Sequence, residues 1–375
     1  MDQPFETDFG TLFPERKPLY PDDVGNFAGL GRCILVTGAG GSIGSALAQR
    51  ICSASRLRLI LMDHSERAIS ALRRKLNSCD RESQVKFVLG DVRDHQLIEN
   101  LLAEERPDFI FHAAAFKHVP LLEENPFAAV ENNGLATWRL GQAAAKFASA
   151  RLLLISTDKA ANPRSMLGAS KRLAELAILR CTSSHGPMSA LRLGNVADSS
   201  GSVLPIFREQ ILRGGPVTVT HQEATRYFLT APETCAAMAT LAGVQDASGL
   251  YLPAMGDSVR ILKIAERMIQ AASKKNYTEI SVKITGLRPG DKLHEDLLSR
   301  GESLAAEVAP GLRAICWEQI DVPLLDAQFQ AIEEITRRRD LAALLEVLRE
   351  VVPEYQPGPM LVKKRSAAAA GAGDE

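Results

Sequence analysis

The sequence has no C-x-x-C pair. Its six cysteines, Cys33, Cys52, Cys79, Cys181, Cys235 and Cys316, are scattered along 375 residues. That scatter argues against zinc and disulfide frameworks and fits a reducing compartment. Neither sign of charge is in surplus, with 44 Lys and Arg against 45 Asp and Glu. A generic nucleic-acid binder carries a basic excess, so no nucleic-acid partner is expected; a few local arginines still suffice for an anionic small molecule. No apolar run is long enough to cross a bilayer. The opening MDQPFETDFG is acidic and lacks the basic-then-apolar order of a signal peptide. The expectation is a cytoplasmic chain with no membrane span and no metal. There is also no internal repeat.

What is present is alternation. Residues 1–30 are punctuated by Pro and Gly and are expected to form a lead-in arm. From Arg32 onward, short apolar runs alternate with helical stretches: CILVTG, LRLILMD, VKFVLGD, DFIFHAAA, RLLLIST and MSALRLGN. Continuous apolar strands separated by helices predict an α/β fold with a doubly wound parallel sheet over 31–198. Beyond Asn195 the alternation weakens. A smaller substrate-binding lobe, partly interleaved with the first, is expected over 199–320, with a helix near Ile261–Ala272. Terminal helices are expected within 321–356, and a disordered tail over 357–375 that includes KKRSAAAAGAGDE.

The stretch VTGAGGSIGSALAQ sets Gly38, Gly41 and Gly44 directly after a strand and at the opening of a helix, with Ser42 and Ile43 between. Glycine permits the tight turn and lets backbone N–H groups approach a pyrophosphate, to which the helix N-terminus adds partial positive charge. The spacing is that of short-chain dehydrogenases; a plain tight turn is the bland alternative. Asp63 ends the second strand about 20 residues on, the distance of a ribose-binding acid. A carboxylate there favours NAD over NADP, although Arg67 lies nearby, and Asp63 could instead cap the next helix. Asp91 and Val92 are expected to bracket the adenine. Ala113 and Ala115 are expected under the cofactor, or in simple packing.

The fifth strand delivers STDKAANPRSMLGASKR, residues 156–172. Ligands in such sheets sit outside the carboxyl ends of the strands, so Ser156, Thr157, Asp158 and Lys159 fall where chemistry should occur. Leu167 and Lys171 are four apart and share a helix face. Short-chain dehydrogenases usually have Tyr-x-x-x-Lys here. Lys171 is present, but Leu167 takes the Tyr position and carries no proton. The Asp158–Lys159 pair offers a replacement acid and base, or else a structural ion pair.

Taken in order, TGAGGSIGS, HAAAFKHVPLLEENP, ENNGLAT, STDKAANPRSMLGASKR, RLGNVADSSGSVLPIFREQI, GGPVTVTHQEATRYFLT and GLRPGDKLHEDL resemble the CapD-like polysaccharide-biosynthesis family over about residues 15–300. Its best-known members are UDP-N-acetylglucosamine 4,6-dehydratases, extended short-chain dehydrogenases of Rossmann type. Larger relatives carry a membrane-anchored N-terminal region, so the chain resembles the short form. The resemblance implies a UDP-sugar substrate, oxidation at C4, loss of water across C5 and C6, and return of the hydride to C6. It places Lys159 as the base at C5 and Asp158 as the acid at the C6 hydroxyl. Thr157 falls near C4, and Lys171 on the nicotinamide ribose. It also implies substrate roles for Lys117, His118, Asn133 and Asn195. Arg226 and Arg288 become diphosphate clamps, since guanidinium binds phosphate bidentately. Val203, with Gly201 and Ser202, falls under the base. For each of these, a packing role is the alternative. Relatives of this kind are often homo-oligomers. A sugar-nucleotide epimerase or dehydrogenase on the same scaffold is the second reading, and a catalytically silent NAD-binding protein, favoured by Leu167, is the third.

Overall fold

The structure, a computed structural model, describes residues 9–362 except 18, 21–26, 28, 55–56, 78–83, 148–149, 186, 274–279 and 318–320. All six strands expected from the apolar runs form: β1 (Cys33–Thr37), β2 (Arg58–Asp63), β3 (Gln84–Leu89), β4 (Phe109–His112), β5 (Arg151–Thr157) and β6 (Met188–Leu193). They are parallel to their neighbours and lie in the order β3-β2-β1-β4-β5-β6. This is the doubly wound Rossmann order, with its switch point between β1 and β4. β1, β4 and β6 are buried at every position, because helices cover both faces of the sheet. β3 is an edge strand and is only partly buried.

The remaining strands are β7 (Asn195–Val196), β8 (Val217–Val219), β9 (Thr225–Arg226), β10 (Phe228–Leu229), β11 (Gly249–Pro253), β12 (Val259–Arg260), β13 (Val282–Ile284), β14 (Ser303–Ala309) and β15 (Leu312–Cys316). Three of them correct the expected lobe boundary. β11 joins β6 in parallel, and β15 and β14 follow antiparallel, extending the main sheet to nine strands. The span 199–320 is therefore divided between the sheet and the lobe. The lobe has its own core, in which Leu204, Phe207 and Ile211 of the helix Val203–Leu212 meet Ile264 and Met268 of the helix Ile261–Ser273. Short pairs β8–β13 and β9–β12 flank it, and β7–β10 leads into it from β6.

The arm is more than a lead-in. Phe9–Leu12 form a helical turn, and Leu12 and Phe13 are buried in the lobe core, with Phe13 5.2 Å from Phe228. Tyr20, Phe27 and Leu30 are buried in the main core. At the other end, residues 357–362 are not a loose tail: Leu361 is fully buried, and the Gln356 N–H donates to the Pro163 carbonyl. The segment KKRSAAAAGAGDE lies outside the described residues. No helix among the described residues is long and apolar enough to cross a membrane.

Two C-terminal helices, Val322–Arg338 and Leu341–Val351, start at Asp321 and Asp340, whose side chains accept from the Leu324 and Ala343 N–H groups. They pack on the main domain. Phe329 stacks on Trp138 at 5.1 Å, and Arg180 grips Asp326 through two hydrogen bonds. Phe329 is fully buried, so Phe329→Ala is expected to cost about 3–5 kcal/mol in urea unfolding. A cost within experimental error would place these helices outside the cooperative unit.

Candidate active site

The glycine turn after β1 is built for close backbone approach. Gly38 has φ +66°, and a Cβ there would lie 2.6 Å from the Ala114 backbone. A Cβ on Gly44 would lie 2.2 Å from the Gly38 carbonyl oxygen, so only glycine lets the helix Ser42–Ala54 start this close to the turn. The turn is held from β2. Asp63 is buried; its Oδ2 accepts from the Gly40 N–H at 2.9 Å and its Oδ1 from the Ser65 N–H at 2.9 Å. The cap of the following helix is Ser65, not Asp63. Asp63 therefore shapes the loop, and it also lines the adjoining cleft.

That cleft has a volume of about 250 Å³ and opens to solvent. It is lined by Gly38, Gly41, Asp63, Asp91, Val92, Ala113 and Ala115 together with Gly40, His64, Phe116 and Asn132. Glycines that no Cβ could replace, a helix N-terminus and a buried acid fit the adenosine and pyrophosphate of a dinucleotide. Gly44 and Ile43 lie behind the lining: Gly44 packs on the turn, and Ile43 contacts the core. The Ser42 hydroxyl accepts from the Ser200 N–H at 3.0 Å, tying the helix start to the turn after β7. Asp91 is clasped by Arg93 at 2.9 and 2.6 Å, and that hydrogen bonding holds its carboxyl below the usual range.

A buried chain of hydrogen bonds that the sequence did not reveal links this cleft to the rest of the site. His112, at the end of β4, is fully buried between Thr37 (2.7 Å) and Thr137 (2.9 Å). Thr137 spends its single hydroxyl proton on the Asn133 carbonyl at 2.7 Å. Nε2 of His112 must therefore donate to Thr137, and Nδ1 must accept from Thr37. Burial, and after it the Lys171 charge, push the His112 pKa down to about 3, so the ring is neutral. Asn133 sits in a π-helical turn, Val130–Leu135, a type of irregularity frequent at functional sites. Its amide bonds both the N–H and the carbonyl of Phe116 and donates to Ser170 on the helix Met166–His185. In this structure Asn133 is thus a buried clamp between the loop after β4 and that helix.

The segment leaving β5 turns sharply. Thr157 accepts from the Lys159 N–H and donates its hydroxyl proton to Asp158 Oδ1 at 3.0 Å. Asp158 is fully buried, and its Oδ2 has no hydrogen-bond partner. The Lys159 ammonium lies 2.9 Å from Asp158 Oδ1, 2.9 Å from Asn195 Oδ1 and 3.4 Å from Glu295 Oε1. Burial opposes the charge, but Asp158 and Glu295 more than offset it, and the Lys159 pKa is raised. Gly168 lets this turn lie on the helix, since a Cβ there would stand 2.3 Å from the Lys159 carbonyl oxygen. Lys171, on the same helix, donates to the Ile155 carbonyl at 2.6 Å, and burial lowers its pKa to about 8 against the opposing Glu175. Leu167 is buried.

Glu295 was not anticipated, although it lies within the quoted GLRPGDKLHEDL; its contact with Lys159 is made only by the fold. Other long-range ties went unseen as well. Arg192 and Arg172 converge on Glu175 and Glu302 in a buried cluster, and Ser156 donates to Glu175 at 2.6 Å. Burial works against the Glu175 carboxylate, yet Arg192 and Arg172 keep it ionised with a pKa lowered to about 2.

The expected clamps separate. Arg226 is largely buried, with its guanidinium taken by the Thr225, Leu293 and Lys292 carbonyls and by Glu295. It braces the segment behind Lys159 and has little left for a phosphate. Arg288 is exposed and, among the described residues, is paired with Asp291. Lys117 and His118 stand exposed on the loop after β4. The His118 ring rests over Gly201, whose Cβ would lie 2.4 Å from it. Val203 packs against the lobe core.

The sheet order, glycine turn and helix-borne lysine define an extended short-chain dehydrogenase scaffold with a Rossmann-type dinucleotide cleft. The sequence pattern of polysaccharide biosynthesis proteins matches residues 34–315, and the chain belongs to that family. It is 39% identical over 275 residues to the capsular polysaccharide biosynthesis protein CapD of Staphylococcus aureus, covering 72% of this chain and 46% of CapD. The chain thus spans about half the length of that relative. It is 28% identical over 278 residues to a UDP-N-acetylglucosamine 4,6-dehydratase (inverting) of Campylobacter jejuni, covering 73% of this chain and 79% of that one. Among solved structures it resembles a Thermus thermophilus UDP-glucose 4-epimerase in complex with NAD, with 25% identity and a TM-score of 0.58, over 70% of this chain and 89% of that one.

The buried His112 makes stability depend on pH. Its pKa falls from 6.5 in the unfolded chain to about 3 in the fold, so the unfolded chain binds the extra proton and stability is lost as pH drops through that window. The expected slope from this one group approaches about 1.4 kcal/mol per pH unit. Urea unfolding between pH 7 and 5 should show that slope reduced in His112→Gln. Equal slopes in both proteins would contradict a neutral buried imidazole.

Proposed function

We propose that the protein is an NAD-dependent UDP-N-acetylhexosamine 4,6-dehydratase, acting on UDP-N-acetylglucosamine. The observation that carries this reading is the Asp158–Lys159 acid–base pair at the carboxyl end of β5, in the same parallel sheet whose β1 delivers the glycine turn. Epimerisation at C4 needs only reversible oxidation and has no use for such a pair. Elimination needs one group to take a proton from C5 and another to give one to the departing C6 oxygen. The similarity to the Campylobacter dehydratase supports the same assignment.

When bound, the dinucleotide supplies the hydride acceptor for C4 and the hydride donor for C6. The chain's own residues do the rest. Gly38, Gly41 and the helix opening at Ser42 hold the pyrophosphate, and Asp63 holds the adenosine ribose, which favours NAD over NADP. Lys171 orients the nicotinamide ribose. Thr157 stands nearest the C4 hydroxyl and can pass its proton toward Asp158 along the existing 3.0 Å hydrogen bond. That path needs no proton carrier at Leu167. Asn195 and the exposed Arg288 meet the sugar nucleotide from the lobe side, with Lys117 and His118 across from them.

Purified protein supplied with NAD and UDP-N-acetylglucosamine should yield a 4-keto-6-deoxy product by NMR. A product of unchanged mass would favour epimerisation, and no turnover with NAD bound would favour a silent binding protein. Lys159→Ala is expected to lower turnover by at least about a hundredfold while leaving NAD bound. Undiminished elimination in that variant would remove Lys159 from the mechanism.

A further inference from the structure

The turn that joins β7 to the helix Val203–Leu212 touches two loops that border the cofactor cleft. Its first residue, Ala197, donates its N–H to the Leu229 carbonyl, and the turn closes through the Ser202 N–H on the Ser199 carbonyl. Asp198 and Gly201 both lie in the left-handed region, at φ +56° and +69°, which folds the segment back on itself. The Ser200 N–H then donates to the Ser42 hydroxyl at 3.0 Å. The Gly201 backbone packs under the His118 ring, so close that a Cβ would stand 2.4 Å from the ring Cε1. On its outer side, Arg208 holds Asp198 at 3.1 Å and ties the turn to the lobe helix. Ser42 opens the helix after the glycine turn of β1, and His118 ends the loop after β4, where the helix Val119–Glu124 begins. β1 and β4 are the neighbours at the switch point of the sheet, so the turn bridges the crevice where ligands of such sheets lie. Gly41, next to Ser42, and Phe116, two residues before His118, line the cleft. At about 250 Å³ the cleft is smaller than the usual range of about 300–1,000 Å³ for such ligands. It takes the adenosine end of a dinucleotide, where Asp63 and Asp91 lie, and the rest of the molecule has to run on past Ser42 and His118.

We infer that residues 197–202 form a clasp across the switch-point crevice: the Ser42–Ser200 hydrogen bond and the His118–Gly201 contact close over the pyrophosphate of the dinucleotide and part to let it in or out. This rests on the dinucleotide site of the reading above and not on which sugar is turned over. The clasp leaves the phosphate donors free, because Ser42 meets Ser200 through its side chain while the backbone N–H groups of the helix opening stay available. A barred exit suits a reaction that takes a hydride from C4 and returns it to C6. The dinucleotide then ends each turnover in the form in which it began, and nothing is gained by releasing it. A dehydrogenase on the same scaffold has to exchange its cofactor every turnover, and for it the clasp would be an obstacle.

The test is stopped-flow binding of NADH, followed by its own fluorescence, to the full chain as parent, Ser42→Ala, His118→Ala and the double variant. A clasp bars entry and exit alike, whereas a direct cofactor contact slows exit alone. Association and dissociation rate constants should therefore both rise, each by at least about threefold in a single variant and further in the double, as expected for loss of one hydrogen bond or one packing contact. Their ratio, Kd, should stay within about twofold of the parent, since the restraint is present with and without ligand. Hydrogen exchange at the Ser200 amide should be slow in the parent and faster in Ser42→Ala, which reads the hydrogen bond without any cofactor. An unchanged melting temperature reports that the variants are folded, and His118→Gln, which keeps a flat side chain over Gly201, should bring the rates back toward the parent. Faster exit with unchanged entry would overturn the inference, because Ser42 and His118 would then be contacts and not a bar. Unchanged rates in the double variant would overturn it as well. A parent that binds no NADH at all would take down the dinucleotide reading itself, an outcome distinct from binding with unaltered rates.

Discussion

The Lys159 ammonium, largely buried among Asp158, Asn195 and Glu295, joins three segments that nothing in the chain order brings together. A buried charge is costly unless paired and hydrogen-bonded, so removing any one of these partners exposes the others to that cost. The surroundings are arranged to prevent this. Arg226 braces Glu295, and the buried Lys292 donates to the Ala161 carbonyl at 2.6 Å. Asn162, in the left-handed region at φ +40°, accepts from the Arg300 N–H with its side chain. The segment 291–302 is in effect a seam that fastens the lobe to the turn after β5.

Beneath that seam lies a second set of paired charges. Arg192 on β6 and Arg172 on the helix Met166–His185 both grip Glu175 and Glu302, and Arg172 also reaches Glu354. The helix that carries Lys171 is thus anchored to the sheet, to the turn before β14 and to the C-terminal segment. On the other side, the Thr37–His112–Thr137–Asn133 chain runs from the strand that feeds the glycine turn to the clamp on Ser170. The strand that feeds the cofactor cleft is therefore tied to the helix that carries Lys171 by buried hydrogen bonds that engage both nitrogens of His112. Such a network fixes geometry at the cost of strict partner requirements.

Much of this was legible in the chain itself. β1, β4, β5 and β6 announce themselves because strands covered on both faces read as continuous apolar runs, and Gly38 and Gly44 do so because turn and helix contact forbid a side chain. β14 and β15 were assigned to the lobe because an edge pair is only partly buried and carries a weak apolar signal, and β11, though fully buried, is a short run that stands apart from the regular strand–helix alternation. Around the turn after β5, local order marked Asp158, Lys159 and Lys171 as candidates. It did not reveal Glu295, Glu175 or His112 as partners, since buried pairing across distant segments leaves no periodicity. Arg226 and Arg288 looked alike as guanidiniums; only the fold shows one enclosed by carbonyls and the other open to solvent. Likewise, Leu361 belongs to the folded body because Gln356–Leu361 lies across the Pro163 turn, a contact its composition does not signal.

The account stands on the loops leaving β1 and β5 serving one crevice, with the acid–base pair facing the reacting carbons of a sugar held beside the nicotinamide. A crystal structure of the protein with NAD and UDP-N-acetylglucosamine bound tests this most directly. The account predicts the sugar C5 and C6 within hydrogen-bonding reach of Asp158 and Lys159, and C4 against the nicotinamide ring. A sugar bound elsewhere, or with C5 and C6 turned away from those two side chains, would contradict it.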